Sequence, residues 1–307
     1  MGFLCNIPDV FWRSSDKTHL GDNGHYADLD FFDIDPNKIP QTFDELVQQL
    51  KNDPKAKLDK ENPEKDAAVR FGTIFWRTDQ LYKLAIEKGS PIAKAKAPKT
   101  SFEQQNWDLP YNVGVYDMMT TMGVMGHFVG DASMPYHVTR DHDGWEKGHG
   151  GIHSYYETDV VDEIDLTLQQ KTYEQALKLS KSESGKSVVD RIAALTRISL
   201  SEIKMVDEKD KVLAPSVDSK DPAKRIKAKR LPADQNVKVY EDMIEVEMAR
   251  SAKLLAEFWD EIYISAGSPD LSHYRSYHFP LEPEFIPMDF IKNQKATSKS
   301  GKERAHR

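Results

Sequence analysis

The sequence has very little of three things that define large classes of proteins. Cys5 is the only cysteine in the 307 residues, which excludes an intrachain disulfide and a zinc site built from several thiolates. No apolar run approaches the roughly eighteen residues of a membrane helix. The first residues, MGFLCNIPDVFWRSSD, lack the basic stretch and apolar stretch of a signal peptide. Any metal site must therefore use histidine and carboxylate ligands.

Strand signals and internal repeats are also missing from the sequence, whereas helical spacing of apolar residues recurs. The pattern predicts an all-α fold, a single multi-helix domain over residues 1–291, followed by a basic, disordered tail over 292–307. Prolines and glycines in residues 1–40 predict a loop. Helices are predicted over Thr42–Lys51, Glu64–Lys88, Tyr111–Val129, His153–Gln170, Tyr173–Leu179, Ser187–Val206 and Val237–Ile264, with a charged loop or broken helix between the last two.

The composition is that of an ordinary globular protein, with 39% hydrophobic and 30% charged residues. The formal charge of −8 argues against a broad electrostatic grip on nucleic acid. An acidic protein can still act on phosphates if bound cations supply local positive charge.

Five of the ten histidines fall in one stretch, GHFVGDASMPYHVTRDHDGWEKGHGGIHSYYETD. His127 and Asp131 lie one helical turn apart at the end of an apolar helix, and His153 and Glu157 repeat that spacing. One such pair is usually a simple hydrogen-bonded pair, and a histidine-rich surface loop is the plain alternative. Two pairs flanking His137 are instead typical of a zinc site with nitrogen and oxygen ligands.

HFVGDASMPYH followed by GIHSYYETDVVDE resembles the zinc-dependent phospholipase C and S1/P1 nuclease superfamily. That family takes two further ligands from upstream, an Asp and then a His, and NIPDVFWR and GHYADLD supply Asp9 and His25 in the matching order. The matched motifs run from Asp9 to Glu157, about half of the chain. The resemblance implies the family's helical fold and zinc-dependent hydrolysis of phosphoric esters.

The resemblance also implies how the ligands divide. One Zn²⁺ would be bound by Asp9, His25, His127 and Asp131, and a second by His137, His153 and Glu157. Asp131 would also bridge toward a third zinc, whose other family ligands are an N-terminal Trp and a nearby His.

Those ligands of the third zinc have no counterpart in the eight residues before Asp9. We therefore expect two zinc sites. We also expect a natural start further upstream, which would make the protein secreted or periplasmic.

In the family, a zinc-activated water attacks the phosphodiester. Asp9 is the first candidate to orient or deprotonate that water, and Glu157 is the second. The residues with weaker claims to contact substrate are Tyr26, Asp28, Arg140 and His142. For Tyr26 a place in the core is an equal alternative. For Arg140 and His142 a solvated surface position is the more usual role of such residues, and Asp28 could orient His25 instead.

The substrate branch is predicted from two details. Glu157 as last ligand and the sequence HSYYET favour a phospholipase C-like enzyme, although Val10 stands where the family has a choline-binding aromatic residue. A single-strand nuclease or 3′-nucleotidase of the S1/P1 type is the alternative. A non-catalytic zinc-binding helical protein remains open, because the N-terminal ligands are missing.

Overall fold

A computed structural model describes residues 2–13, 21–32, 34–182, 185–272, 274–278 and 284–291. The chain is mostly helical over these residues, as expected for an all-α protein. The predicted tail, residues 292–307, lies outside the described residues. No helix in the described part is long and apolar enough to cross a membrane.

Ten α-helices are described: α1 (Gly2–Cys5), α2 (Phe43–Asn52), α3 (Pro63–Phe71), α4 (Ile74–Gly89), α5 (Ser101–Gln105), α6 (Pro110–Asp131), α7 (Ile152–Ser154), α8 (Leu168–Lys178), α9 (Val188–Lys209) and α10 (Ala233–Ser265). Two π-helical turns, Pro8–Trp12 and Tyr155–Val160, lie among them. Short 3₁₀ turns cover Asp22–His25, Ile92–Lys94, Pro135–His137 and Pro222–Lys224. Two strands, β1 (Val212–Ala214) and β2 (Lys229–Arg230), pair antiparallel.

Helix α6 is the buried centre of the fold, which confirms the prediction for Tyr111–Val129. It packs against α1, α4 and α10, and Val115, Met125 and Phe128 are fully or almost fully buried. A Cβ on Gly123 would come within 2.5 Å of the side chain of Leu4. The absence of a side chain at Gly123 therefore lets α1 lie directly on α6. His127 and Asp131 lie at the C-terminal end of α6.

The predicted single helix Glu64–Lys88 is wrong, because it divides into α3 and α4 at Gly72 and Thr73. Gly72 has a φ of 86°, and a Cβ there would lie 2.0 Å from the backbone oxygen of Tyr26. The freed backbone groups bind the 23–28 segment: Thr73 N–H donates to Asn23 O (2.7 Å) and Asp28 N–H donates to Phe71 O (2.7 Å). The break in the helix thus provides the backbone groups that hold His25 and its neighbours in place.

Other boundaries also differ from the predictions. Residues 1–40, predicted as loop, contain α1 and two short helical turns where described. The helix predicted over His153–Gln170 is interrupted by a turn at 163–167, and α8 begins at Leu168 rather than at Tyr173. The charged segment after α9 contains the two strands, which sequence alternation did not reveal because they are only three and two residues long.

Candidate metal centre

The first group of candidate ligands comes from three elements. Asp9 lies on the first π-helical turn, His25 ends a 3₁₀ turn, and His127 and Asp131 lie one turn apart on α6. His25 Nδ1 is 3.0 Å from His127 Nε2 and 3.0 Å from Asp131 Oδ2. His127 Nε2 is 3.3 Å from Asp131 Oδ2. The Asp9 oxygens lie 3.8 Å from His25 Nδ1 and 3.7 Å from His127 Nε2.

These separations match those between ligand atoms around one zinc ion. Tetrahedral zinc with bonds of about 2.0 to 2.1 Å holds its ligand atoms roughly 3.3 Å apart. The five measured distances, from 3.0 to 3.8 Å, lie on both sides of that value. The residues of the predicted first ligand set are therefore close in space, although Asp9 and Asp131 are 122 positions apart in the sequence.

The second group is the one predicted from the other His/carboxylate pair and the loop histidine. His137 Nε2 lies 3.2 Å from His153 Nε2, and Glu157 Oε2 lies 2.7 Å from His153 Nε2 and 3.6 Å from His137 Nε2. His137 ends a 3₁₀ turn, whereas His153 and Glu157 lie on α7 and the π-helical turn that continues it.

Backbone carbonyls determine the orientation of both rings in the second group. His137 Nδ1–H donates to the oxygen of His25 (2.6 Å), and His153 Nδ1–H donates to the oxygen of His142 (3.0 Å). A carbonyl only accepts, so each Nδ1 must carry the proton. When such a ring is neutral, its Nε2 is bare, which is the arrangement in which histidines bind metals.

The two groups are adjacent, and Asp131 lies between them. Asp131 Oδ2 contacts the first pair of histidines, while Oδ1 is 3.8 Å from His137 Nδ1. The His25 backbone adds a second link, since its carbonyl orients the His137 ring. The seven predicted ligands thus form two neighbouring groups rather than two unrelated pairs.

Charge in the first group is balanced poorly by the protein alone. Burial lowers the pKa of His127 and raises the pKa of Asp131, because each is almost fully enclosed. Burial also opposes ionisation of Asp9, but His127, His25 and Arg13 outweigh it and lower the pKa of that carboxyl. A bound cation would stabilise the ionised carboxylates and the neutral imidazoles together.

In the second group the interactions between carboxylates and histidines outweigh the effect of burial on the pKa values. Burial opposes the charge on His137, yet Asp131 and Glu157 raise the pKa of His137 to about 9. Burial likewise opposes ionisation of Glu157, but hydrogen bonds from His137 and His153 lower its pKa strongly. The cluster therefore attracts positive charge, either a proton or a metal ion.

Among the residues predicted to contact substrate, Tyr26 instead occupies the alternative position in the core. Its side chain is 3% exposed and its hydroxyl donates to Val69 O (2.6 Å), so it anchors the His25 segment to α3 and does not face the open side of the site. Asp28 is half-buried, and its backbone N–H ties the same segment to Phe71. Both residues position His25 through the backbone.

Arg140 and His142 lie in the loop that precedes α7. The exposed Arg140 guanidinium pairs with Glu146 (3.0 Å), which leaves it on the surface. His142 is next to the second group, with its ring 6.2 Å from that of His153 and its carbonyl orienting that ring. His149, in the same loop, is hydrogen-bonded to Asp210 (2.7 Å).

Sequence reasoning missed Arg13. Its guanidinium donates to Asp9 (3.1 Å), the most exposed ligand of the first group, and its Nε lies 3.5 Å from Asp22. The spacing of four residues between Asp9 and Arg13 was a usable signal, but the segment was predicted as loop and helical spacing was not considered there.

Comparisons of the chain with protein-family models, with curated proteins and with solved structures find no match. The function of the protein is therefore inferred from its residues and their arrangement.

Proposed function

We propose that this protein is a zinc-dependent phosphoric diester hydrolase of the phospholipase C type, related to the zinc-dependent phospholipase C and S1/P1 nuclease superfamily. Six of the seven residues that carry the sequence resemblance fall into two groups of three nitrogen and oxygen ligands, and the seventh, Asp131, contacts the two histidines of the first group. Such mixed sets suit zinc when thiolates are absent.

One observation carries the proposal. His137 Nε2 and His153 Nε2 point at each other across 3.2 Å while both Nδ1 atoms are committed to carbonyl oxygens. Two Nε2 atoms and the oxygen of Glu157 converge on one point, which requires positive charge there: a proton shared in hydrogen bonds, or a metal ion. Of the two, only a metal ion would use all three atoms as ligands at once.

The catalytic chemistry follows from the residues around the two groups. Divalent cations held there neutralise phosphate oxygens and lower the pKa of a bound water. Asp9 is open to solvent, with its side chain 44% exposed against 8% for Asp131, and its lowered pKa keeps it ionised. It is therefore the carboxylate able to orient a water and accept its proton.

Glu157 is similarly exposed and is the second candidate for this role. Its strongly lowered pKa and its contacts with two histidines make it the poorer base, because a stabilised carboxylate holds a proton weakly. Buried Asp131 serves as a structural ligand between the groups.

The test compares two histidine variants of the purified protein. His153→Ala should lose the second zinc and hydrolysis of bis-p-nitrophenyl phosphate, because it removes one of three converging ligands. His278→Ala is the control, since that ring is stacked between Trp107 and Tyr116 at 4.3 Å from each and belongs to neither group. Metal content is read by mass spectrometry and product release by absorbance.

Either of two results would overturn the proposal: purified protein that binds no zinc after incubation with it, or zinc-bound protein that cleaves no phosphodiester. A side-by-side assay with phospholipid, single-stranded DNA and RNA separates the phospholipase and nuclease branches. Zinc binding without hydrolysis of any of these would favour the non-catalytic alternative.

A further inference from the structure

Residues 211–230, here called the basic hairpin, leave the helical body between α9 and α10. Strands β1 and β2 form its base, and Val217 and Ile226 pair further out through two backbone hydrogen bonds of 2.9 and 3.0 Å. The turn Pro222–Lys224 closes it, capped by the Asp221 side chain. The hairpin is thus a defined structure rather than a loose connection.

The basic hairpin is attached to the loop that leads into the second ligand group. Ser216 N–H donates to Gly148 O and Ala228 N–H donates to Gly150 O, both at 2.9 Å, so each leg of the hairpin holds this loop. The Lys227 side chain lies against Gly151, where a Cβ would come within 2.9 Å of it. His153 follows two residues later, so the hairpin stands beside the candidate metal centre.

Three aliphatic side chains of the hairpin face water. Leu213, Val217 and Ile226 are 58%, 53% and 60% exposed. Val217 and Ile226 are directly paired, and paired residues of antiparallel strands project to the same face. Three exposed large aliphatic residues on one short hairpin, two of them directly paired, indicate a surface that is covered by a partner.

The charge of the hairpin is opposite to that of the protein. It contains seven Lys and Arg residues and two Asp residues, in a chain with a formal charge of −8. The acids are already paired, Asp218 with Arg225 (2.8 Å) and Asp221 with Lys224 (3.4 Å), and Asp210 pairs with Arg230 (2.9 Å).

Four lysines of the hairpin, Lys211, Lys220, Lys227 and Lys229, are exposed and have no ion-pair partner among the residues that the structure describes. They give the hairpin that carries the three exposed aliphatic residues uncompensated positive charge. The partner that covers this surface must therefore be anionic.

We infer that the basic hairpin binds the surface of an anionic phospholipid bilayer, with Leu213, Val217 and Ile226 entering the acyl boundary and the four lysines contacting lipid phosphates. Aliphatic residues framed by lysines suit an interface between phosphates and hydrocarbon. A single-stranded nucleic acid fits less well, because binding such strands relies on aromatic stacking and residues 211–230 contain no aromatic residue. This inference rests on the proposed function only in that the bilayer would also present the substrate.

Vesicle sedimentation of the full chain tests the inference. Wild-type protein should bind vesicles of phosphatidylcholine with phosphatidylglycerol, bind less as salt rises, and bind phosphatidylcholine alone weakly. A Lys211→Gln, Lys220→Gln, Lys229→Gln variant should bind anionic vesicles about a hundredfold more weakly, from about fivefold per lysine. A Leu213→Ser, Val217→Ser, Ile226→Ser variant should also lose binding.

Matched controls exist elsewhere on the surface. Lys51, Lys55 and Lys60 are exposed lysines near α2, and Leu166, Leu177 and Ile264 are exposed aliphatic residues outside the hairpin. The corresponding triple Gln and triple Ser variants should bind vesicles like the wild type. Equal loss in hairpin and control variants would overturn the inference, as would equal binding to neutral and anionic vesicles.

The vesicle-binding result can be distinguished from the result of the hydrolysis assay. Hairpin variants should cleave soluble bis-p-nitrophenyl phosphate at the wild-type rate, because no substituted side chain is a candidate ligand. Hairpin-dependent vesicle binding by a protein that cleaves nothing would sustain this inference and refute only the proposed function. Hairpin-dependent binding of a single-stranded oligonucleotide, without vesicle binding, would refute the inference and favour a nucleic-acid substrate.

Discussion

Replacing Gly72 by alanine should damage both the stability of the fold and the first ligand group. Gly72 combines a φ of 86° with a ψ of 177°, a region that is essentially restricted to glycine and costs another residue about 1 to 3 kcal/mol. The added Cβ would also lie 2.0 Å from Tyr26 O and 2.6 Å from Tyr26 C. Relief of that overlap requires the Tyr26 backbone to move by roughly 1 Å, because well-packed atoms cannot interpenetrate.

The movement is transmitted to His25, which is bonded directly to Tyr26. His25 Nδ1 is 3.0 Å from both His127 Nε2 and Asp131 Oδ2, so a displacement of this size removes it from a common ligand position. The displacement also weakens the hydrogen bonds of Thr73 and Asp28 that hold the segment. Together with the backbone cost, the expected destabilisation is about 3 to 5 kcal/mol.

Gly185 provides the control for this substitution. It has a φ of 81°, but an added Cβ meets no atom of the described residues within 4 Å. Gly185→Ala should therefore cost only about 1 to 2 kcal/mol for the left-handed backbone and leave zinc binding unchanged.

The assay is urea unfolding followed by circular dichroism in the presence of a chelator, so that stability is compared without metal. Zinc titration of both variants then follows by calorimetry. Gly72→Ala should bind less zinc, or bind the first ion more weakly, than Gly185→Ala. Equal destabilisation in the two variants, or full zinc affinity in Gly72→Ala, would refute the view that the helix break positions His25.

Three further predictions are independent of that one. Burial raises the pKa of Glu247 to about 8 from 4.5, so the folded state favours the protonated carboxyl. The free energy of unfolding should therefore fall by roughly 5 kcal/mol as pH rises through that interval. Glu247→Gln should remove this loss, measured as urea midpoints at pH 5 and pH 9. Zinc at a hundred times its dissociation constant should stabilise the wild type by about 2.7 kcal/mol per site, and His153→Ala should lose the increment of one site in thermal melts. Thr42→Ala removes the capping box of α2 and should cost about 1 kcal/mol, with zinc content unaltered; no loss of stability there would contradict the cap.

The raised pKa of Glu247 has a structural origin near the candidate centre. Its carboxyl is 5% exposed and accepts from the Tyr156 hydroxyl (2.8 Å), while neighbouring Glu202 adds negative charge. Tyr155 is fixed in a similar way, since its hydroxyl donates to Leu231 O (3.0 Å). The π-helical turn that carries Glu157 is thus held to α10 by Tyr156, and to Leu231 just before α10 by Tyr155.

Much of the helical framework and the two His/carboxylate pairs could be predicted from local pattern. The spacing of four between His127 and Asp131, and between His153 and Glu157, puts each pair on one helical face whatever the rest of the chain does. The apolar composition of Tyr111–Val129 likewise indicated a buried helix, because no orientation of it could leave a polar face in water. Asp9 and His25 were predicted only through the resemblance, since nothing local links them to α6.

Long-range packing decided the rest. Periodicity could not reveal the break at Gly72, because the break exists to accept backbone donors and acceptors from the Asn23–Asp28 segment, far away in sequence. Tyr26 was buried by the same contact, and the tautomers of His137 and His153 depend on carbonyls that only the folded chain brings near. Residues close in sequence constrain one another through covalent geometry. These contacts form only when distant segments become ordered together, which costs conformational entropy that no local pattern reveals.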